Sequence, residues 1–239
     1  MNSTDSSCPP PQKQQDSVPK ILDAQLPPEK ISHLYDTLAP IYDIWGKLTE
    51  SRAIHKALEL AAIQDGETIL EVAVGTGLVF SNLVEKNPHG KNIGIDLSPG
   101  MLAKAKARLQ DKSLNNYTLI EASATELPVK DFSVDLLMNT YMLDLIPFTE
   151  MEKVLKEFNR VLKVGGRLVL VNMTHGRSFF SKFYELLFRI SPSLMGGCRP
   201  ISISSDIHNL GFKLKHVEYL EQLFFPSEII LAIKDQHVC

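Results

Sequence analysis

The sequence predicts an α/β fold built on a doubly wound, mostly parallel sheet, and three observations support this prediction. The segment 69–77, ILEVAVGTG, is a short apolar run that contains one acidic residue and ends in a glycine-rich turn. A second apolar run, 93–96, follows about twenty residues later and ends in Asp96. Beyond it, short apolar runs alternate with segments of helical periodicity, which is typical of consecutive β-α-β units.

Two segments precede the first predicted strand. Residues 1–28 are polar and proline-rich and are expected to form a disordered tail. Residues 29–62 are expected to form a helical cap, in which Ile54, Ala57 and Leu58 recur at helical spacing. The chain of 239 residues is long enough for one α/β domain, so residues 29–239 are predicted to be a single domain.

Seven short apolar runs are the predicted strands. Residues 134–139 are apolar enough to lie in the middle of a parallel sheet, and the last two runs predict a closing hairpin with one antiparallel strand at the edge. The sheet is therefore expected to be Rossmann-like, doubly wound and seven-stranded, mostly parallel with one antiparallel C-terminal strand. The strands are predicted at residues 68–72, 92–96, 117–121, 134–139, 167–172, 213–220 and 228–234.

The helices between these strands have recognisable start and stop signals. A helix is predicted at residues 78–86, after the glycine turn. Ser98 followed by Pro99 starts the next helix, since serine is a favoured N-cap and proline fits the first helical turn. Thr149 and Glu152 predict a capping box at the start of a helix that runs to about residue 162. The glycine pair 165–166 is expected to end that helix.

Composition excludes several classes of protein. The formal net charge is -3, so no basic field indicates a nucleic-acid partner. The three cysteines are scattered and odd in number, which argues against a disulfide framework or a zinc site and for a reducing compartment. Residues 1–18 have no apolar core, so they are not a secretory signal. A cytoplasmic protein without a bound metal is the expectation.

Five motifs in order resemble those of the class I S-adenosylmethionine-dependent methyltransferases, in particular the branch of the ubiquinone and menaquinone biosynthesis enzymes. The resemblance covers nearly everything from residue 31 to residue 234. It implies S-adenosyl-L-methionine as cofactor and S-adenosyl-L-homocysteine as product. The motifs are 35–43 (YDTLAPIYD), 71–77 (EVAVGTG), 94–102 (GIDLSPGML), 126–135 (ELPVKDFSVD) and 162–168 (LKVGGRL).

The resemblance also implies which residues contact the cofactor. Asp96, at a strand tip, would accept both hydrogen bonds of the ribose diol, and Glu71 would hold the methionine end through water. The glycines would let the backbone approach the ligand closely. Met101 has a second interpretation as a core residue. The implied cofactor residues are Glu71, Ala73, Gly75, Gly77, Asp96, Leu97, Met101, Ser123, Ala124 and Asn139.

Two positions depart from the family pattern. Ala73 stands where the first motif usually has glycine, and the turn is expected to survive if the φ angle of Ala73 stays negative. Ser123 stands where relatives usually carry an aspartate that contacts the adenine amino group. Its hydroxyl can still form a hydrogen bond.

Methyl transfer from a sulfonium requires alignment of the reactants, exclusion of water and removal of a proton where the nucleophile carries one. His175 is the candidate general base, since a histidine titrates near neutrality, and a surface histidine is the alternative. Tyr141 and Asp144 follow the fourth strand, where ligands bind in such sheets. Residues expected on the substrate side are Tyr35, Tyr42, Trp45, Phe183 and Arg199, the last as a partner for an acidic or phosphate group.

The insertion at residues 176–208 is the least typical segment. Its strongly apolar part, residues 179–190, is predicted to be a lid over an apolar substrate. Peripheral contact with a membrane surface and burial against the sheet or a dimer partner are the alternatives. The oligomeric state is not predicted.

The acceptor is expected to be a small apolar or amphipathic molecule. Ring-carbon methylation of a prenylated quinol, N-methylation of a phospholipid headgroup and methylation of O, N or S in a specialised metabolite all remain open. Two other classes of protein share the glycine turn and the acidic residue: a cofactor-binding scaffold without turnover, and a nicotinamide dehydrogenase. The dehydrogenase does not fit residues 127–128, the glycine pair at 165–166 or the closing hairpin.

Overall fold

The computed structural model describes residues 49–177, 199–223 and 225–235. Within these residues, five helices and seven strands form one layered α/β unit. The helices are α1 (Ser51–Leu60), α2 (Leu78–Lys86), α3 (Pro99–Asp111), α4 (Phe148–Val161) and α5 (Ser204–Asn209). The strands are β1 (Thr68–Val72), β2 (Lys91–Asp96), β3 (Tyr117–Glu121), β4 (Val134–Thr140), β5 (Leu162–Met173), β6 (Phe212–Gln222) and β7 (Phe225–Lys234).

The seven strands form one sheet in the order β3-β2-β1-β4-β5-β7-β6. Strands β1 to β5 pair in parallel, whereas β7 is antiparallel to both β5 and β6. The prediction of a seven-stranded, mostly parallel sheet with one antiparallel C-terminal strand is confirmed. The antiparallel strand lies one place inside the sheet and not at its edge, because β6 adds to its outer side.

The core consists of two apolar layers, one on each face of the sheet. Ile69 packs with Phe80 of α2 and other buried residues of α1 and α3, while its neighbour Leu70 packs with Phe158 of α4 and Ile207 of α5. This alternation is the period of two expected of a strand buried on both faces. The two layers fix the strand ends at which the ligand site lies.

Most element bounds agree with the sequence prediction, and two local predictions were wrong. Helix α4 begins at Phe148 after Pro147, without a side-chain cap, so Thr149 lies inside the first turn and forms no capping box. The glycine pair at 165–166 lies within β5, and a register irregularity in the β4–β5 pairing spans it. Helix α4 therefore ends at Val161 without a glycine.

Several predictions concern residues outside the described part of the chain. The tail at 1–28, most of the helical cap at 29–62 and residues 178–198 of the insertion belong to this group, so those predictions stay untested. In the described residues, no helix is long and apolar enough to cross a membrane. No group of three or more potential metal ligands occurs among the same residues.

Candidate functional site

A cavity of about 350 Å³ opens at the carboxyl ends of β1 to β4. This is the edge of a doubly wound sheet at which ligands are expected to bind. Its wall combines the glycine-rich turn after β1, the tip of β2 and the segments that follow β3 and β4. The lining residues are Glu50, Ile54, Val72, Ala73, Gly75, Thr76, Leu78, Val79, Ile95, Asp96, Leu97, Ser98, Met101, 122–125, 140–142, 145–147, Glu150 and Val154.

The Asp96 carboxylate organises one side of this cavity. One oxygen accepts a hydrogen bond from the backbone N–H of Gly75 at 2.7 Å, and the other accepts from the N–H of Ser98 at 2.9 Å. Ser98 in turn caps α3, its Oγ accepting from the N–H of Met101 at 3.1 Å. A carboxylate can accept several hydrogen bonds at once, so Asp96 is suited both to holding the turn and to binding a ligand hydroxyl.

The two glycines of the turn have different physical roles. Both have positive φ angles, +55° at Gly75 and +78° at Gly77. A Cβ at Gly75 would meet no atom within 4 Å, whereas a Cβ at Gly77 would lie 2.9 Å from Cα and Cβ of Ala105. Gly75 therefore leaves open space beside the cavity. Gly77, which is absent from the cavity lining, allows α3 to pack closely on the start of α2.

Ala73 has a φ angle of +62°, so the condition of a negative φ, on which the survival of the turn was expected to depend, is not met. The turn keeps the left-handed conformation that the usual glycine would adopt. Alanine reaches that conformation at a cost of roughly 1–2 kcal/mol, because its Cβ crowds the following carbonyl oxygen. The turn is formed despite this cost, so its geometry is imposed by the surrounding bonds.

Glu71, two residues before Ala73, is a buried carboxyl with an incomplete set of partners. It is 1% exposed, and its Oε2 has no hydrogen-bond partner among the described residues. Burial, with the nearby charge of Asp96 as a second cause, raises the pKa of Glu71 well above its ordinary value. Such a group lowers its energy when a donor or cation reaches it. Glu71 itself does not line the cavity, so the implied contact with the methionine end of S-adenosylmethionine would run through water.

The segments after β2 and β3 form a largely apolar part of the cavity. Leu97 is 50% exposed although it is apolar, and Met101 is buried beside it. Ser123 Oγ lies 2.8 Å from Thr125 Oγ1 and accepts from the Thr125 N–H at 3.2 Å, next to Ala124. The structure thus brings Leu97, Met101, Ser123 and Ala124 to one wall, which suits a flat heterocycle with polar edges.

Asn139 lies outside the cavity lining. It is completely buried, and its Nδ2 donates to the backbone oxygen of Val72 at 2.7 Å. This bond ties the end of β4 to the end of β1, so Asn139 supports the cavity from below and does not reach into it.

Tyr141 and Asp144 follow β4, as expected, but only Tyr141 lines the cavity. The Tyr141 hydroxyl lies 2.7 Å from Ser227 Oγ, and its backbone has a φ angle of +51°. Asp144 is fully buried and accepts a hydrogen bond from the N–H of Met173 at 3.0 Å. The predicted contact of Asp144 with a substrate is therefore not seen. Burial raises its pKa to about 7, although the charge of Arg199 acts in the opposite direction.

Arg199 is 1% exposed, so the predicted role as a partner of a substrate anion is not supported. Its guanidinium donates to the backbone oxygen of Ile146 and lies 4.1 Å from the centre of the Phe148 ring. The backbone N–H of Arg199 donates to the backbone oxygen of Asp144 at 3.1 Å. Arg199 thus holds the loop between β4 and α4, which forms one wall of the cavity.

His175, the candidate general base, is exposed and does not line the cavity. The structure does not bring it to the predicted reaction site. The other substrate-side residues, Tyr35, Tyr42, Trp45 and Phe183, lie outside the described residues, as does the apolar segment 179–190.

Sequence reasoning missed two features of the cavity. The first is Glu50, just before α1, which is 5% exposed; burial, with the charge of Asp144 as a second cause, raises its pKa to about 8. No motif marks a glutamate at this position. The second is an apolar wall made of Met142, Leu145, Ile146, Pro147 and Val154. The sequence shows the apolar residues at 142–147, but their pattern fits a helix as well as a loop and so does not predict a cavity wall.

Known proteins resemble this chain in sequence and in fold. A family model described as a methyltransferase domain matches residues 69–166. The demethylmenaquinone methyltransferase of Thermotoga maritima is 30% identical over 209 residues, which cover 85% of each chain. That of Oceanobacillus iheyensis is 30% identical over 175 residues, 70% of this chain and 72% of the relative. The solved structure of a SAM-dependent methyltransferase from Thermotoga maritima has a TM-score of 0.65 at 22% identity and covers 86% of this chain and 100% of its own.

Proposed function

Because the chain belongs to the family of S-adenosylmethionine-dependent methyltransferases that includes the demethylmenaquinone methyltransferases, we propose that it methylates a ring carbon of a small hydroxylated aromatic acceptor of the quinol type. Methyl transfer from S-adenosylmethionine is the activity of the family. The acceptor and the methylated atom are the proposed part.

The residues at the β1 and β2 ends would hold the cofactor. Asp96 would accept the ribose hydroxyls, and the buried Glu71 would attract the ammonium end through water. The space beside Gly75 would admit the chain that links the two ends. Leu97 and Met101 would pack on the adenine ring. When bound, S-adenosylmethionine supplies a methyl group that is electrophilic because its sulfur carries a positive charge. The protein contributes position and exclusion of water.

The apolar wall is the observation that carries the acceptor class. Met142, Leu145, Ile146, Pro147 and Val154 line the same cavity as the residues assigned to the cofactor. Burial of apolar acceptor surface there is worth about 25 cal/mol for each Å². A ring with an apolar substituent would gain from such a wall, whereas a small polar metabolite would not.

Charge on the cavity wall supports a second candidate. Glu50 and Glu150 both line the cavity, and no lysine or arginine does so among the described residues. Two carboxyl groups would suit an amphipathic amine, such as an aminophospholipid headgroup, and would repel a phosphate placed close to them. The quinol remains the first candidate because the relatives with 30% identity are demethylmenaquinone methyltransferases.

The test is methyl transfer from labelled S-adenosylmethionine to two acceptors offered separately. One is a reduced naphthoquinol with a short prenyl chain and an unsubstituted ring position, and the other is a short-chain phosphatidylethanolamine in micelles. Label in the ring carbon of the quinol, with none in an Asp96→Ala control, would support the proposal. Label only in the amine would replace it with the second candidate. Label in neither, with S-adenosylhomocysteine still bound, would exclude both acceptors.

A further inference from the structure

Glu50 places a carboxyl group in the cavity wall, at a position for which the function proposed so far has no use. Its side chain is nearly buried, yet it lines the cavity. Within the described part of the chain, no residue forms a hydrogen bond with this carboxyl group. A buried carboxyl without protein partners is costly, and the space in front of it is the cavity. Its geometry therefore leaves both oxygens available to a ligand.

Glu50 lies on the acceptor side of the cavity. Its charged neighbour is Asp144, which follows β4, whereas the proposed nucleoside contacts follow β2 and β3. Strand β1 separates β2 from β4, and neighbouring strands lie about 4.8 Å apart, so these two ends of the cavity are roughly 10 Å or more apart. The methyl group would lie between them, and the acceptor beyond it.

The position of Glu50 is fixed by two hydrogen bonds in the first turn of α1, which follows it. Its backbone oxygen accepts from the N–H of Ile54 at 2.9 Å and begins α1. The next turn is attached to the distant strand β6, because the N–H of Arg52 donates to the Gln222 side chain at 2.8 Å. A carboxyl group held in this way is preorganised and does not have to be recruited by the acceptor.

From this geometry we infer that Glu50 is the proton acceptor for methyl transfer. The inference rests on the proposed function, which makes the proton that of a quinol hydroxyl. The hydroxyl proton of the quinol passes to the Glu50 carboxylate, and its electron pair makes the adjacent ring carbon nucleophilic. That carbon forms the bond to the methyl group while the methyl–sulfur bond breaks, leaving its electrons on sulfur. The hydrogen of the same carbon then passes as a proton to water, which restores the aromatic ring, and the Glu50 carboxyl returns its proton to the ring oxygen, which regenerates the carboxylate.

The electrostatics of the surroundings agree with this role. Burial and the charge of Asp144 raise the pKa of Glu50 to about 8, so the carboxylate form is a stronger base than an ordinary glutamate and is available at mildly alkaline pH. Two other carboxyl groups near α1 each have a cationic or histidine neighbour. Glu218 on β6 lies 2.9 Å from His216 and 3.9 Å from Lys56, and Glu228 on β7 interacts with Arg177.

The test compares Glu50→Gln with the wild type and with Glu59→Gln, a change of an exposed glutamate in α1, the helix that follows Glu50. For the wild type and Glu59→Gln, kcat is expected to rise with pH and to level off above about 8. For Glu50→Gln, kcat is expected to fall by about 100-fold or more at pH 8 and to lose that dependence. The loss should shrink to a few-fold with a fluorinated quinol whose hydroxyl is already ionised at the assay pH.

Two readouts do not depend on turnover. Calorimetric binding of S-adenosylhomocysteine should agree within about threefold between the wild type and Glu50→Gln, which shows that the variant is folded and binds the cofactor product. The infrared band of a protonated carboxyl that disappears as the pH rises through about 8 should be present in the wild type and absent from Glu50→Gln.

Different results separate this inference from the proposed function. Quinol methylation by Glu50→Gln with the wild-type rate and pH profile would overturn the role of Glu50 and leave the proposed acceptor intact. Loss of S-adenosylhomocysteine binding in parallel with activity would also overturn it, since Glu50 would then support the cofactor site. Methylation of phosphatidylethanolamine but not of the quinol by the wild type would overturn the proposal that the acceptor is a quinol. The same comparison on the amine would then decide whether Glu50 accepts the ammonium proton.

Discussion

The carboxylate of Asp96, at the end of β2, accepts a hydrogen bond from the backbone N–H of Gly75, in the turn after β1, at a distance of 2.7 Å. With the bond from the Ser98 N–H at 2.9 Å, both oxygens of Asp96 are engaged by backbone donors. The residue proposed to hold the ribose is therefore also the residue that holds the glycine turn. Binding and turn geometry are coupled at this side chain.

Asp96→Asn should weaken S-adenosylhomocysteine binding by about 10- to 100-fold. Asparagine has one oxygen and one NH₂ group, so one of the two backbone donors would face another donor, and a bond to a charged acceptor is worth about 1.5–3 kcal/mol. Isothermal titration calorimetry measures the change. Glu121→Gln is the control, because Glu121 pairs with Asp96 across β2 and β3 and is exposed. Equal affinity of Asp96→Asn and the wild type for S-adenosylhomocysteine would contradict the assignment of Asp96 to the ribose hydroxyls.

Alanine substitutions at the two glycines should separate stability from binding. Gly77→Ala places a Cβ 2.9 Å from the backbone of Ala105, so the free energy of unfolding should fall by about 2–4 kcal/mol from overpacking and an unfavourable φ angle. Gly75→Ala meets no neighbouring atom and should cost only about 1–2 kcal/mol, while its methyl group takes up space beside the cavity and weakens binding. Urea unfolding and calorimetry on both variants test this. Weaker binding by Gly77→Ala and the larger loss of stability in Gly75→Ala would show that Gly77, and not Gly75, borders the ligand.

Much of the fold could be predicted from sequence because each strand of the parallel sheet is a short apolar run bounded by turn residues. Strand β1 was predicted with its observed bounds, Thr68–Val72. The start of α4 was not, because Thr149 and Glu152 have capping-box spacing while Pro147 ends the preceding segment two residues earlier and starts the helix there. Local patterns compete in such cases, and packing decides between them.

The candidate site was predictable on the cofactor side and less so on the acceptor side. Asp96 and Gly75 are fixed by a motif of near neighbours in sequence. Glu50 is positioned in large part by the contacts of α1 with β5, β6 and β7, and these involve residues more than a hundred positions away. The burial of Arg199 could not be predicted, because its sequence neighbours are glycine, cysteine and proline and form no apolar pattern. Its burial depends on the loop after β4.

Ala73→Gly should raise the free energy of unfolding by roughly 1 kcal/mol, because glycine adopts the observed φ angle of +62° without the crowding that alanine suffers. For a domain of this size the melting temperature should rise by about 2–4 °C. Thermal unfolding followed by circular dichroism measures this shift. Ala122→Gly, in the same cavity wall, is the control and should lower the melting temperature. A lower melting temperature for Ala73→Gly as well would mean that Ala73 is not strained in the left-handed turn.

Stability should decrease as the pH rises from about 5 to about 8. Glu50 and Asp144 have pKa values raised to about 8 and about 7 in the folded protein. The folded state therefore binds more protons than the unfolded state in this window, and the stabilisation present at low pH is lost as the pH passes through the folded values. One such group contributes a slope of at most about 1.4 kcal/mol per pH unit. Urea unfolding at several pH values should show a smaller slope for Glu50→Gln and an unchanged slope for Glu59→Gln.

Arg199→Met should lower the free energy of unfolding by about 3 kcal/mol. The arginine is buried, its guanidinium bonds the Ile146 oxygen and stacks on Phe148, and its charge acts on Asp144. Removing one partner of a buried charged group leaves the other uncompensated. Chemical unfolding measures the loss, and a double variant with Asp144→Asn tests the coupling. Losses that simply add would mean that the two side chains do not interact.

The attachment of α1 to the last strands has a consequence for how the protein matures on the ribosome. No described residue of the cavity lies beyond Val154, yet α1 packs on β5, β6 and β7 and its first turn is bonded to Gln222. During synthesis, the glycine turn and Asp96 emerge and can pair long before β6 and β7 exist. The bond that anchors the first turn of α1, next to Glu50, cannot form until they do. A nascent chain stalled before residue 212 should therefore bind the nucleoside end of the cofactor weakly and transfer no methyl group, although every described residue that lines the cavity has already been made.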